Sequence, residues 1–146
     1  FDFLIKSFRL LDKISNNFEL FILGSGKEYH DLKQLILDFQ LNGKVFLVGF
    51  IDNPYPWFHN SNIFVLSSIW EGNPNVLLEN YYMNNVIVSG RCTPDVDKYI
   101  KCGINGYVFE NRVESELANS LYLASKLKKY DILNPKFSSS TLTDFI

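Results

Sequence analysis

The sequence has few of the residues that usually announce chemistry. It holds two cysteines and two histidines in 146 residues. Cys92 and Cys102 do not stand at metal-ligand spacing and no Ser/His/Asp arrangement is readable, so neither a metal centre nor a triad hydrolase is indicated. The cysteines are read as reduced and structural. His30 falls in a polar helical turn and His59 beside aromatic residues, positions that suit solvated or packing roles. No charge of one sign dominates, because 14 basic and 16 acidic side chains leave a net charge of −2. Without a Lys/Arg cluster there is no electrostatic basis for a nucleic-acid or anionic-membrane surface. No apolar run approaches the roughly 20 residues that span a bilayer, and Phe1-Asp2-Phe3 lacks the basic segment of a signal peptide. The expected location is cytoplasmic.

What is present reads as one globular domain with a real core, at 47% hydrophobic and 21% charged residues. Phe3, Leu4, Phe8, Leu10 and Leu11 follow a helical spacing, and Phe18 to Leu23 reads as a strand ending at Gly24-Ser25-Gly26. Leu32, Leu35, Ile36 and Phe39 mark a second helix, Val45 to Val48 a second strand, and Tyr55 to His59 a short helix. A third strand, Asn62 to Leu66, precedes a helix over Leu77 to Met83. Val86 to Val88, a helix over Val96 to Lys101, Gly106 to Phe109 and a helix over Glu114 to Lys128 complete the pattern. Strands alternating with helices at this spacing predict an α/β fold, a Rossmann-like parallel sheet with helices on both faces. Residues 1–129 form the domain and 130–146 a tail, where Asn134-Pro135 breaks the pattern.

The informative stretch runs from Ser67 to Glu79. The apolar strand empties into small polar residues, then Gly72, Asn73 and Pro74, and then a helix. Pro74 suits a first helical position and Asn73 a cap. The amides of Asn75, Val76 and Leu77 then lack partners inside the helix and carry the positive end of its dipole, which makes an anion site. Glu71 lies before these amides and Glu79 within the first two turns, so carboxylates flank the anion site and accept from hydroxyl groups. A diphosphate between two polyols, which is a nucleotide-sugar, fits that arrangement. Glutamates eight apart mean little alone, since such residues are often dipole partners or solvated charges.

The block Glu71-Gly72-Asn73-Pro74-Asn75-Val76-Leu77-Leu78-Glu79 after a buried strand resembles the sugar-donor motif of the retaining GT-B glycosyltransferases of family 4. Phe1 to Phe8, Phe21 to Gly26 and Gly103 to Val108 are similar to further blocks of that family. The resemblance implies that Glu71 approaches the donor sugar as the catalytic glutamate and that Glu79 binds the ribose. Asn73, Asn75 and Val76 would hold the diphosphate, and Ile51 and Asn53 would lie against the base. Gly24 and Gly26 follow a strand on the same edge of the sheet, where ligands of such folds bind. A close approach of backbone to ligand and a plain tight turn explain them equally.

The resemblance further implies the C-terminal half of a GT-B fold, with its first strand, the basic loop after it and the N-terminal acceptor-binding domain absent. It implies transfer of a sugar from a UDP- or GDP-linked donor to a glycan or lipid-linked acceptor in bacterial surface-polysaccharide assembly. No cofactor or bound metal is expected, and the full-length enzyme would be cytoplasmic or peripheral at the inner face of the membrane. The tail would be the family's crossover helix, and the isolated chain is expected to be inactive. Rival readings are a non-catalytic nucleotide-binding subunit working with a separate acceptor chain, and a GT-B epimerase or phosphorylase. Two local departures stand out. Asn84 replaces the usual Gly at a left-handed helix end, and Tyr82 replaces a small residue, where added ring volume at a helix contact would displace neighbours.

Overall fold

In a computed structural model, described here for residues 1–72 and 74–129, helices and strands alternate along the chain. The tail expected over 130–146 lies outside the described residues. The elements are α1 (Asp2–Ile14), β1 (Leu20–Leu23), α2 (Tyr29–Asp38), β2 (Val45–Gly49), α3 (Tyr55–Asn60) and β3 (Ile63–Leu66). They continue with α4 (Asn75–Tyr82), β4 (Val86–Gly90), α5 (Val96–Tyr99), β5 (Gly106–Phe109) and α6 (Glu114–Ala124). The last helix therefore stops short of Lys128, and the first strand begins at Leu20 rather than Phe18.

All strand pairings are parallel, β1 with β2, β3 with β4, and β4 with β5. Alternation along a strand sends successive side chains to opposite faces, and β4 shows it cleanly. Val86 and Val88 join a core with Phe3, Phe8, Leu32, Ile36 and Leu117, which come from α1, α2 and α6. Ile87, between them, joins Leu66, Leu77, Val96 and Ile100 on the α4 and α5 side. Both faces are thus covered by helices, as the element order predicts. Burying Ser7 on α1 requires a partner for its hydroxyl, which donates to the Phe3 carbonyl oxygen at 2.8 Å.

The sheet is not continuous. β1 and β2 form one part, β3, β4 and β5 another, and a cavity of about 1750 Å³ separates them. Its walls include the flanking strands, Leu20 to Leu23 and Ile63 to Leu66, and α1 closes it with Leu4, Phe8 and Leu11. What joins the two parts is helical: α1 packs against α6 and α2, and Lys44 at the foot of β2 donates to Asp12 of α1 at 2.5 Å.

Two features fix α4, the helix that matters most for the site. Asn84 ends it with φ 59°, the left-handed conformation in which Asn substitutes for Gly. The buried Asn85 amide then donates to the Phe58 carbonyl at 2.9 Å and to Asn80 Oδ1 at 2.7 Å, while Asn80 donates to the Val76 carbonyl at 2.8 Å. These bonds tie α4 to α3 through groups that would be costly to leave unpaired. Tyr82 overturns an expectation, because its ring is 63% exposed and meets only Tyr81 edge-on at 5.6 Å among the recorded ring contacts. Its extra volume falls in solvent, so it carries no packing cost.

Candidate functional site

Loops that follow the carboxyl ends of parallel strands open on one edge of the sheet. Gly24 and Gly26 follow β1, Ile51 and Asn53 follow β2, and Glu71 follows β3. Gly24 has φ +122° and donates its N–H to the Gly49 carbonyl at 2.7 Å, so this glycine serves a turn that ties β1 to the end of β2. Gly26 is exposed with ordinary φ, and Ile51 is half-buried.

The α4 corner is built as follows. Asn73 lies outside the described residues. Pro74 occupies the cap position with φ −75° and ψ 87°, one residue ahead of the first helical turn. That ψ turns its carbonyl into the helix, where it accepts the Leu77 N–H at 2.8 Å. The sequence reading left three amides open, and the structure narrows these to Asn75 and Val76, neither of which has a recorded partner among the described residues. Asn75 is exposed, Val76 half-buried, and Leu77 fully buried as the anchor of the helix.

Glu71 and Glu79 are both half-buried. The Glu71 N–H donates to the Cys92 carbonyl at 2.8 Å, which fastens its loop to the loop after β4, while its carboxylate has no recorded partner among the described residues. Glu79 Oε1 accepts from the Tyr55 hydroxyl at 3.3 Å. Tyr55 in turn has its backbone N–H held by Asn53 Oδ1 at 3.1 Å. The structure therefore links Asn53, Tyr55 and Glu79 in one chain of hydrogen bonds. No hydrogen bond joins Glu71 to Glu79 or either glycine to them among the described residues. The large cavity does not lie over the glutamates; it meets this corner only at Ser67, Ser68 and Val76.

Charge at this edge is partly neutralised within the protein. Arg91, just after β4, donates to Glu110 at 2.6 and 2.7 Å and to Asp97 at 2.6 Å. Those bonds hold the Glu110 and Asp97 carboxyls below their ordinary range, with the hydrogen bond from Arg91 the main cause for each. Arg112 is different, since its guanidinium stands 4.4 Å from the centre of the Phe3 ring and donates to the Ser67 carbonyl at 3.1 Å. It has no carboxylate partner among the described residues. Sequence reasoning overlooked Tyr55 and Arg112. Tyr55 could have been noticed as the residue after Asn53-Pro54 on a loop already under suspicion, whereas nothing local marks Arg112. Among the described residues no group of His, Cys, Asp and Glu is placed to hold a metal ion, and no helix is long and apolar enough to cross a membrane.

Comparison with known proteins bears on the family and the fold. An uncharacterized glycosyltransferase of Methanocaldococcus jannaschii is 39% identical over 90 residues, covering 62% of this chain and 22% of that protein. The poly(glycerol-phosphate) alpha-glucosyltransferase of Bacillus subtilis is 30% identical over 142 residues, covering 92% and 20%. The chain thus spans about a fifth of the length of these relatives. Among solved structures, S. aureus TarM in a complex that includes UDP superposes with a TM-score of 0.79 at 25% identity, over 86% of this chain and 26% of that one. The family described as glycosyl transferases group 1 matches residues 1–133, nearly all of the sequence and the whole strand-corner-helix unit. The chain belongs to the glycosyl transferases group 1 family.

Proposed function

We propose that this chain is the sugar-donor-binding domain of a retaining glycosyltransferase, acting on a nucleotide-sugar in the assembly of a cell-surface polymer. The observation that carries the reading is the opening of α4, where the Asn75 and Val76 amides have no partner among the described residues and half-buried glutamates precede and follow them in the chain. A diphosphate bound there would meet N–H donors and the positive end of the helix, which stabilise charge that grows as the nucleotide leaves. Asn73 adjoins these amides in sequence and belongs to the same phosphate loop. Glu79 accepts from the ribose hydroxyls, and Glu71 faces the transferred sugar as the catalytic glutamate. Ile51, Asn53, Gly24 and Gly26 form the nucleoside side of the cleft. The names of the relatives, with a glucosyltransferase acting on a glycerol-phosphate polymer, and the UDP in the solved neighbour support the substrate class.

In the transfer, the bond from the anomeric carbon to the diphosphate oxygen breaks and a bond to an acceptor hydroxyl oxygen forms on the same face. The acceptor hydroxyl gives its proton to the departing diphosphate oxygen, and the nucleoside diphosphate leaves. This scheme draws its charge stabilisation from the helix amides and calls on no cofactor. The acceptor site lies in a further domain of the intact enzyme. The test is turnover of the intact protein carrying Glu71→Gln or Glu79→Gln, with the anomeric configuration of the product read by NMR. Losses of roughly a hundredfold or more are expected for Glu71→Gln, in line with removal of one electrostatic contact to the transition state. Near-normal turnover in both variants would sink the proposal.

A further inference from the structure

Among the described residues, Glu79 is the site member whose carboxylate another element holds, and the holder is a residue that the motif does not contain. Tyr55 opens α3, and its position is set from two sides: Asn53 Oδ1 fixes its backbone N–H, and its ring stands edge-on to Phe58 at 6.2 Å and 87°. Phe58 is itself buried, and its carbonyl takes the Asn85 amide bond that anchors α4. Tyr55 and Glu79 are therefore mounted on two helices that are pinned to each other a few residues away. The hydroxyl is not there to satisfy burial, because Tyr55 is 49% exposed and water would serve it as well. A carboxylate on a half-exposed helix face is otherwise free to rotate. One fixed donor on Oε1 restricts that rotation and leaves the second oxygen, and a lone pair of the first, to accept from a ligand.

We propose that Tyr55 is a positioning residue for Glu79, orienting its carboxylate to accept from both hydroxyls of a nucleoside ribose. This rests on the proposed role of Glu79 as the ribose-binding group. The charge of Glu79, followed by the hydrogen bond to it, raises the Tyr55 pKa above its ordinary value of 10.0, so the hydroxyl stays a proton donor at every pH where the site works. A vicinal diol donates two hydrogen bonds in a fixed geometry, and a carboxylate held in advance loses less rotational freedom on accepting them.

The experiment is a titration of the intact protein with UDP and GDP, and with the 2′,3′-dideoxy form of whichever binds. The protein as it occurs should prefer the ribose form clearly. In Tyr55→Phe, which keeps the ring against Phe58, affinity for the ribose form should fall about fivefold while the dideoxy form changes by less than about twofold, the scale of one typical net hydrogen bond. Glu79→Gln should remove most of the preference, and adding Tyr55→Phe to it should change nothing more. If Tyr55→Phe weakens both ligands equally, or neither, the positioning role is overturned. If Glu79→Gln leaves the preference intact, or neither nucleotide binds, the site reading itself fails. A preference lost in Glu79→Gln but kept in Tyr55→Phe removes only the inference about Tyr55.

Discussion

The two parts of the sheet are made of similar parallel strands, yet they are buried very differently. Every residue of β4 is buried, with Ile87 and Val88 at 0% exposure, whereas β1 buries only Ile22 and leaves Phe21 44% exposed. β4 has a hydrogen-bonded neighbour on each edge and helices on each face. β1 has β2 on one edge and the cavity on the other, and Phe21 finds cover mainly from Phe46, stacked at 4.9 Å, and Trp57 at 5.5 Å. Edge position, not strand composition, sets burial here. The consequence for the site is an asymmetry: Glu71, Asn75 and Glu79 stand on the well-anchored part, while Gly24, Ile51 and Asn53 stand on the part with fewer supports.

The sharpest way to break this comparison is at the closest backbone approach of the three-stranded part. A Cβ on Gly106 of β5 would collide with the Ile87 carbonyl oxygen, and Ile87 lies on the central strand β4, which is paired on both edges and has no room to shift. Gly106→Ala is therefore expected to cost on the order of 4 kcal/mol, or to prevent folding, as read by urea denaturation. Next comes the contrast itself. Ile87→Ala should cost about 3 kcal/mol, since the cavity it leaves is fully enclosed, and Phe21→Ala about 1 kcal/mol, because much of that ring is already wet. Equal losses would show that the two parts are equally packed in solution.

A smaller effect is expected at the joint between α1 and β2. Asp12→Asn removes the charge from a partly buried pair with Lys44 and should cost roughly 0.5–1 kcal/mol. Hydrogen exchange should rise in β2 more than in β4. The smallest effect belongs to the exposed Arg91 cluster. The folded pKa values of Asp97 and Glu110 lie below their ordinary 3.8 and 4.5, so what they contribute is present above those values and lost as pH falls through the depressed ones. A melting series from pH 6 to about pH 2 should show a slight extra loss that Arg91→Ala and added salt both abolish.

The order of elements was legible because each strand and helix carries its own period, and Val86-Ile87-Val88 declares a strand covered on both faces. The α4 corner was legible because Pro74 and the glutamates sit in one short block. Other features depend on the third dimension. Whether Leu77 keeps a free amide depends on the ψ of Pro74, which sequence does not state. Whether Tyr82 crowds a neighbour depends on which face of α4 the sheet covers. Tyr55 lies 24 residues from Glu79, and only folding makes them partners. The roles assigned to Ile51 and Asn53 came from the family resemblance and those of Gly24 and Gly26 from their place after a strand, and Tyr55 supplies a measurable link from the Asn53 loop to the glutamate.

The bond from the Glu71 amide to the Cys92 carbonyl gives the corner a built-in reporter. Cys92 is 1% exposed with its sulfur 3.7 Å from Ser89 Oγ, while Cys102 is exposed, and both thiols are free. An alkylating reagent should consume Cys102 at once and reach Cys92 only as fast as the cluster around it, with Leu66, Leu77 and Val96, opens. Because the Cys92 carbonyl holds the Glu71 amide, the slow phase reports on the footing of the glutamate loop, and a nucleotide that seats against the loop should lengthen it.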